Sequence, residues 1–208
     1  MLGGAAVTVA IVVGAMAFGF FIGLPLSLAQ VYGNNILKFI ANIYVWFFRG
    51  VPVLVLLFLF YFGLFTLIDL NISAFWSAVL VLGLRGGAYQ SQIFRGSIQS
   101  IPDGQLKAAK ALGMTDAQGI LYIILPQVIR ISLPGWSNEY SIVLKDSAIA
   151  FVLGTSEIMS RTHFVASRTY EQLAMYLCAG VIYFILTWAG VYLLKQIENK
   201  LKIPGYTI

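Results

Sequence analysis

The residues of this sequence best placed to do chemistry are charged side chains set inside long apolar runs. Arg85 stands in the run from Ala74 to about Ile98, and Lys145 and Asp146 stand in the run from Pro134 to about Leu153. A charge near the centre of a bilayer costs roughly 2.5 to 3.5 kcal/mol on insertion scales, so each is a candidate functional group. A small guest that carries both signs of charge would need one anionic and one cationic partner a few ångströms apart. Lys145 and Asp146 carry both signs, although neighbours on a regular helix point about 100° apart. Local unwinding, or a second helix, then has to bring the two charges onto one ligand. Arg85, Tyr89 and Gln92 share a helical face, as do Asn138 and Lys145, and Glu139 adds another carboxylate beside Asn138. The same charges could instead pair with each other, Arg85 with Glu139 or Asp146, and lock the helices. Asn138 and Glu139 could equally serve as hinge or gate residues, because Pro134 and Gly135 weaken the helix around them. A free Arg85 would favour a substrate with an acidic or amide side chain.

Other chemistries lack their parts. Cys178 is the only cysteine and His163 the only histidine, and they fall in different segments. That excludes a disulfide within one chain and gives no metal-ligand spacing, no nucleophile with its base and no paired carboxylates for an intramembrane enzyme. There is no G-x-x-x-x-G-K-S/T phosphate loop, so ATP hydrolysis would have to come from another chain. No cofactor or metal is expected on this one.

The elements that must hold these side chains follow from composition and pattern. Of 208 residues, 60% are hydrophobic and only 10% charged, and the mean hydropathy is +0.87. A soluble domain of this size carries roughly a quarter charged residues, so lipid must solvate much of this chain as a single domain. The net charge of +5 is scattered singly between apolar runs rather than gathered into a stripe, which argues for membrane topology signals over nucleic-acid binding. Five spans are predicted, at about 4–31, 51–68, 74–98, 134–153 and 171–194. The first is long and has no basic n-region, which makes it a retained helix rather than a cleaved signal, and Gly14, Gly19 and Gly23 suit close helix packing. Between the first two spans, Asn34 to Gly50 is aromatic and basic and reads as a segment near the interface. Asp69, Asn71 and Ser73 form a turn able to cap the third span, and Gly154 to Tyr170 is read as a polar connection. Arg85 lies about eleven residues into its span, roughly 16 Å at helical rise, and Lys145 and Asp146 lie at a similar depth in theirs. That is near the midplane, where transporters commonly hold substrates.

One polar island stands apart, from Asp103 to Pro126. Asp103 can cap a helix over strong helix formers (Ala108, Ala109, Ala111, Leu112), and Gly113 stands where a left-handed residue ends it. Thr115 and Gln118 have capping-box spacing, so a second helix restarts at once. With the N-terminus outside, the inner side receives Lys38, Arg49, Arg95, Lys107, Lys110, Arg130, Lys195, Lys200 and Lys202, and the outer side only Arg161 and Arg168. The positive-inside rule therefore puts the island and the C-terminus in the cytoplasm.

Lys107-Ala108-Ala109, three residues, Gly113, nine residues, then Ile123-Ile124-Leu125-Pro126 reproduces the spacing of a known loop. The island resembles the Glu-Ala-Ala signature loop of ABC-transporter permease subunits. Arg49-Gly50-Val51-Pro52, Ala88-Tyr89, Phe94-Arg95-Gly96, Ser100-Ile101-Pro102-Asp103-Gly104-Gln105, Asn138-Glu139 and Leu144-Lys145-Asp146-Ser147 are similar to the polar amino acid uptake branch. The resemblance implies an all-α integral membrane protein of the type I ABC importer fold, with five transmembrane helices and a cytoplasmic coupling helix. It implies a prokaryotic inner membrane, a cytoplasmic ATPase dimer that uses ATP and magnesium, a second permease subunit and an extracytoplasmic binding protein that delivers an amino acid. Asp103, Gly104, Gln105, Lys107, Ala108, Ala109, Leu112 and Gly113 would form the ATPase-docking surface. Arg85, Tyr89, Asn138, Glu139, Lys145 and Asp146 are the candidate substrate residues. Two positions depart from the pattern: Lys107 stands for the signature Glu, and Gln92 for the Glu of a Tyr-x-x-Glu motif. Docking by shape, through the small Ala108 and Ala109 face, accommodates Lys107, because exposed ion pairs contribute under about 1 kcal/mol. A secondary transporter or channel is the alternative, but it gives the island no purpose, and five spans do not divide into inverted repeats.

Overall fold

The computed structural model describes residues 2–201, leaving the expected tail residue Lys202 outside the described residues. All regular structure among them is helical: α1 (Leu2–Tyr32), α2 (Asn35–Gly50), α3 (Val53–Phe58), α4 (Phe65–Leu67), α5 (Ala74–Gln99), α6 (Gly104–Ala111), α7 (Asp116–Gly119), α8 (Leu125–Ile131), α9 (Leu133–Asp146), α10 (Ile158–Thr169) and α11 (Gln172–Leu201). π-helical turns at Leu59–Leu64 and Ile120–Ile124 join α3 to α4 and α7 to α8, and a 3₁₀ segment, Ser147–Leu153, follows α9.

α5 is the axis of the bundle. Its Ala78, Val79 and Leu82 pack with Ile11, Val12, Ala15 and Met16 of α1 and with Val143 and Leu144 of α9. Val81 and Ala88 pack with Val45 and Phe48 of α2 and Leu56 and Leu57 of α3, while Phe94 and Ile98 meet Ile124 and Val128. A helix enclosed by protein needs no continuous apolar face, so α5 can carry glycines, serines, glutamines and an arginine. α1 and α11 are long and apolar enough to cross a membrane unaided. The pairs Asn35–Gly50 with Val53–Leu67, bent by 107°, and Asp116–Ile131 with Leu133–Leu153, bent by 53°, qualify only when each pair is taken together.

Glycine makes the α1–α5 contact close. Gly19 and Gly23 of α1 and Gly83 and Gly87 of α5 are each one turn apart and face one another. A Cβ on Gly23 would lie 2.9 Å from the Gly87 carbonyl oxygen and 3.0 Å from Ser91 N. Gln90, fully buried at that interface, donates to the Met16 carbonyl at 3.2 Å and accepts from the Trp136 indole N–H at 2.7 Å, tying α1, α5 and α9 together.

Several local expectations are revised. The polar connection from Gly154 to Tyr170 contains a helix, α10, whose N-cap carboxylate Glu157 accepts from Met159 N and Ser160 N. Its run is amphipathic at helical spacing, so Ile158, Thr162 and Ala166 bury one face. The segment from Asn34 to Gly50 turns a buried face, Ala41, Val45 and Phe48, into the bundle, and its Tyr44 hydroxyl donates to the Leu84 carbonyl at 2.7 Å. Its amphipathicity thus serves packing against α5. Pro126 sits within a continuous helical run from Asp116 to Ile131. The π-turn just before it widens the backbone where the ring would clash with a carbonyl one turn back.

Candidate functional site

The polar side chains of the apolar runs gather where α2, α5 and α9 meet. Arg85 Nη1 and Asp146 Oδ2 form an ion pair at 2.6 Å, with both side chains largely buried. The Arg85 guanidinium lies over the Tyr89 ring at 4.6 Å, one turn along α5. A second guanidinium, that of Arg49, lies over the same ring at 5.1 Å. Arg49 is exposed, and its ring contact arises because α2 leans along α5 and delivers its last turn there. Its signal in the sequence was only a basic residue ending an amphipathic helix.

Glu139 is the unusual member. It is 2% exposed, and its Oε1 has no hydrogen-bond partner. α5 and α9 run antiparallel, with Gly135 against Ile93, Trp136 bonded to Gln90 and Asp146 bonded to Arg85. That register sets Glu139 on the α9 face two turns from Asp146, and the charges acting on it are those of Arg85, Asp146 and Arg49. Lys145 and Asn138 do not join this cluster. Both are exposed, and Lys145 has no ion pair among the described residues. The α-helix gives way to the 3₁₀ segment directly after Asp146, yet Lys145 and Asp146 still diverge. Gln92 takes another path: its amide donates to Gln30 Oε1 at 2.9 Å, and Gln30 donates to Asn42 Oδ1 at 2.8 Å. A carboxylate at position 92 would have no N–H to give to this chain.

The polar island forms a compact hairpin. α6 ends in a Schellman arrangement, in which Met114 N donates to the Ala109 carbonyl and Gly113 N to the Lys110 carbonyl, with Gly113 at φ +85°. The capping box is present, with Thr115 Oγ1 accepting from Gln118 N and Gln118 Oε1 accepting from Thr115 N. Asp103 occupies the N-cap position of α6 but makes no side-chain cap, because its backbone is already αR there and not extended. Gly119 brings α7 onto α6: a Cβ there would sit 2.7 Å from Leu106 Cδ1 and 3.4 Å from Ala109 Cβ. Ala109 is accordingly buried, whereas Gly104, Lys107, Ala108, Leu112 and Gly113 are exposed. Lys110 pairs with Asp116 across the turn at 2.6 Å, and Gln127 donates to Gln105 Oε1 at 2.6 Å, fastening α6 to α8. Behind α6 a cavity of about 380 Å³ separates it from the ends of α1 and α5.

Comparison with known proteins agrees with this arrangement. The family described as "Binding-protein-dependent transport system inner membrane component" matches residues 15–203. The arginine transport system permease protein ArtQ of Bacillus subtilis is 36% identical over 97% of this chain and 92% of its own length. A putative glutamine transport system permease protein, GlnP of Rickettsia typhi, is 36% identical over 90% and 86%. A chain from the crystal structure of an amino acid ABC transporter with histidines superposes with a TM-score of 0.85 at 34% identity, covering 96% of this chain and 92% of that one. A chain of the inward-facing MetNI methionine ABC transporter reaches the same TM-score at 20% identity, covering 97% and 96%, which speaks to the fold alone. An all-helical chain with a capped polar hairpin, matched over most of its length, belongs to the family of binding-protein-dependent inner membrane transport components and is a permease subunit of the amino acid ABC transporter type.

Proposed function

We propose that this permease forms, with a second permease subunit, the path by which a polar amino acid enters the cell, and that the Arg85 cluster holds the amino acid in transit. The observation that carries this reading is the division of the molecule into two polar places joined by one rigid helix. α5 runs unbroken from Arg85 and Tyr89 to Ile98, and the chain then enters the hairpin at Gly104. A displacement applied at the hairpin is therefore passed to the cluster along helical backbone. In this reading α1, the two bent pairs, α5 and α11 supply five crossings, with the N-terminus outside. A separate cytoplasmic ATPase dimer binds ATP and magnesium, and its closing and opening moves α6. An extracytoplasmic binding protein hands over the substrate, and bundle motion exposes the cluster to alternate sides.

The exposed Lys107, Ala108, Leu112 and Gly113 form the surface offered to the ATPase, and the capping bonds make that surface stiff enough to be pushed. Gln105, which accepts from Gln127, anchors its base, and the exposed Asp103 belongs to the surface offered. The test is reconstitution of the permease, its ATPase and its binding protein in vesicles with labelled amino acids. Uptake that requires internal ATP is the expected result, and uptake that continues without ATP would support a secondary transporter or channel instead.

A further inference from the structure

The cavity behind α6 and the signature position that changes sign, Lys107, meet in the same place. The bundle lines the cavity with hydrocarbon, from Val31 at the end of α1, Ile98 near the end of α5, Ile101 and Ile124. The hairpin side supplies Asp103, Lys107 and Lys110, and Tyr32 also lines it. At about 380 Å³ it falls within the roughly 300 to 1,000 Å³ typical of small-molecule sites. Lys110 is matched by Asp116 at 2.6 Å, whereas Asp103 and Lys107 have no ion pair among the described residues. Those two stand one helical turn apart: Lys107 N donates to the Asp103 carbonyl at 3.3 Å, which sets their Cβ atoms about 5 to 6 Å apart on one face. Both are exposed, at the edge where the cavity meets the outward surface of α6, and the Asp103 charge acts on the Tyr32 hydroxyl. One unmatched cation and one unmatched anion therefore share an opening with an apolar wall.

We propose that this cavity is a lipid site that takes a phosphatidylethanolamine, with the headgroup phosphate on Lys107, the ammonium on Asp103 and the acyl chains over the wall of Val31, Ile98 and Ile124. This rests on the reading that the hairpin lies at the cytoplasmic face of the membrane. Phosphate and ammonium are joined in this headgroup by a two-carbon link, a reach comparable to one helical turn. The two lysines, Lys107 and Lys110, and the two aspartates, Asp103 and Asp116, leave the place neutral, so a headgroup of zero net charge keeps the balance. A phosphatidylglycerol headgroup brings a phosphate but no cation for Asp103, and a choline headgroup brings a cation without an N–H for the carboxylate to accept. The surroundings select a lipid over a free zwitterion of the cytosol. α2 begins three residues beyond Tyr32 and turns Ile36, Phe39 and Ile40 outward, all exposed, so hydrocarbon reaches the level of the cavity. The sign change at position 107 gains a reason as well: with the signature Glu there, a phosphate would face two carboxylates.

The test is native mass spectrometry of the purified permease–ATPase complex titrated with phosphatidylethanolamine, phosphatidylglycerol or phosphatidylcholine of one acyl composition. The wild type is expected to bind the ethanolamine lipid about tenfold more tightly than either of the others. Lys107→Gln should lower that affinity about tenfold, and Asp103→Asn should turn the preference toward phosphatidylglycerol. Val31→Trp, which fills the cavity from the bundle side, should weaken binding of all three. Co-purification with the ATPase shows that each variant assembles, and Val31→Trp carries the test if the hairpin variants do not. Glycerophosphoethanolamine, which has the headgroup without the chains, should not displace the lipid. Equal binding of the three lipids, a wild-type preference for glycerol or choline, affinities unmoved by Lys107→Gln and Val31→Trp, or displacement by glycerophosphoethanolamine would each overturn the lipid site. Uptake that continues without ATP in the vesicle assay would overturn the proposed function instead, whichever lipid is bound.

Discussion

Gly23→Ala is expected to loosen the whole transporter, although it adds one methyl group to an apolar helix. In the structure that methyl would meet the Gly87 carbonyl oxygen at 2.9 Å, Gln90 Cβ at 3.0 Å and Ser91 N at 3.0 Å. Two of the three are α5 backbone, which cannot rotate away, and α5 is held from its other sides by α2, α3, α8 and α9. Overpacking of this kind costs about 1 to 3 kcal/mol. The better helix propensity of alanine returns about 1 kcal/mol, so the net loss is up to about 2 kcal/mol. At about 2 to 4 °C per kcal/mol for a chain of this size, the melting temperature should fall by up to about 8 °C. Gly14→Ala should fall less, since its added methyl meets only the Val79 side chain. Gly96→Ala is the opposite control: nothing lies within 4 Å, and the change should raise stability by about 0.4 to 1 kcal/mol. The assay is thermal unfolding of the purified permease–ATPase complex in one detergent, with amino acid uptake measured in parallel. Uptake should drop with Gly23→Ala, because a shifted α5 carries Arg85 away from Asp146. A Gly23→Ala protein as stable as Gly96→Ala would refute the close-contact reading of this interface.

The hairpin yields three further expectations. Gly113→Ala forces a Cβ onto φ +85° and should cost about 1 kcal/mol or more, with ATPase activity becoming uncoupled from uptake while the complex still binds nucleotide. Lys107→Glu should leave ATP-dependent uptake within about twofold of wild type, since Lys107 is exposed, has no ion pair among the described residues, and exposed ion pairs contribute under about 1 kcal/mol; loss of coupled transport would show that docking depends on its charge. A double-mutant cycle on Lys110 and Asp116, both more than half exposed, should return a coupling of about 0.2 to 1 kcal/mol that vanishes in high salt.

What the sequence determined by itself was everything set by local rules. Hydropathy over windows of about 20 residues marked the apolar runs, and Gly113 with the Thr115 and Gln118 box fixed the hairpin, because capping is decided within a turn of chain. Arg85, Asp146 and Glu139 were legible as anomalies, since a charge in hydrocarbon is costly wherever the chain goes. Their pairing was not legible. Arg85 and Asp146 are 61 positions apart, and only the antiparallel packing of α5 on α9 makes them partners and leaves Glu139 without one. The contact of Arg49 with Tyr89 was hidden for the same reason: nothing within α2 states that its last turn reaches that ring. The helix α10 and the π-turn before Pro126 were also hidden, because a polar run or a proline reads as a break until neighbouring helices supply the contacts that compensate it. Local chemistry thus named the residues, and tertiary packing, which alone sets distance and burial, decided which of them are paired.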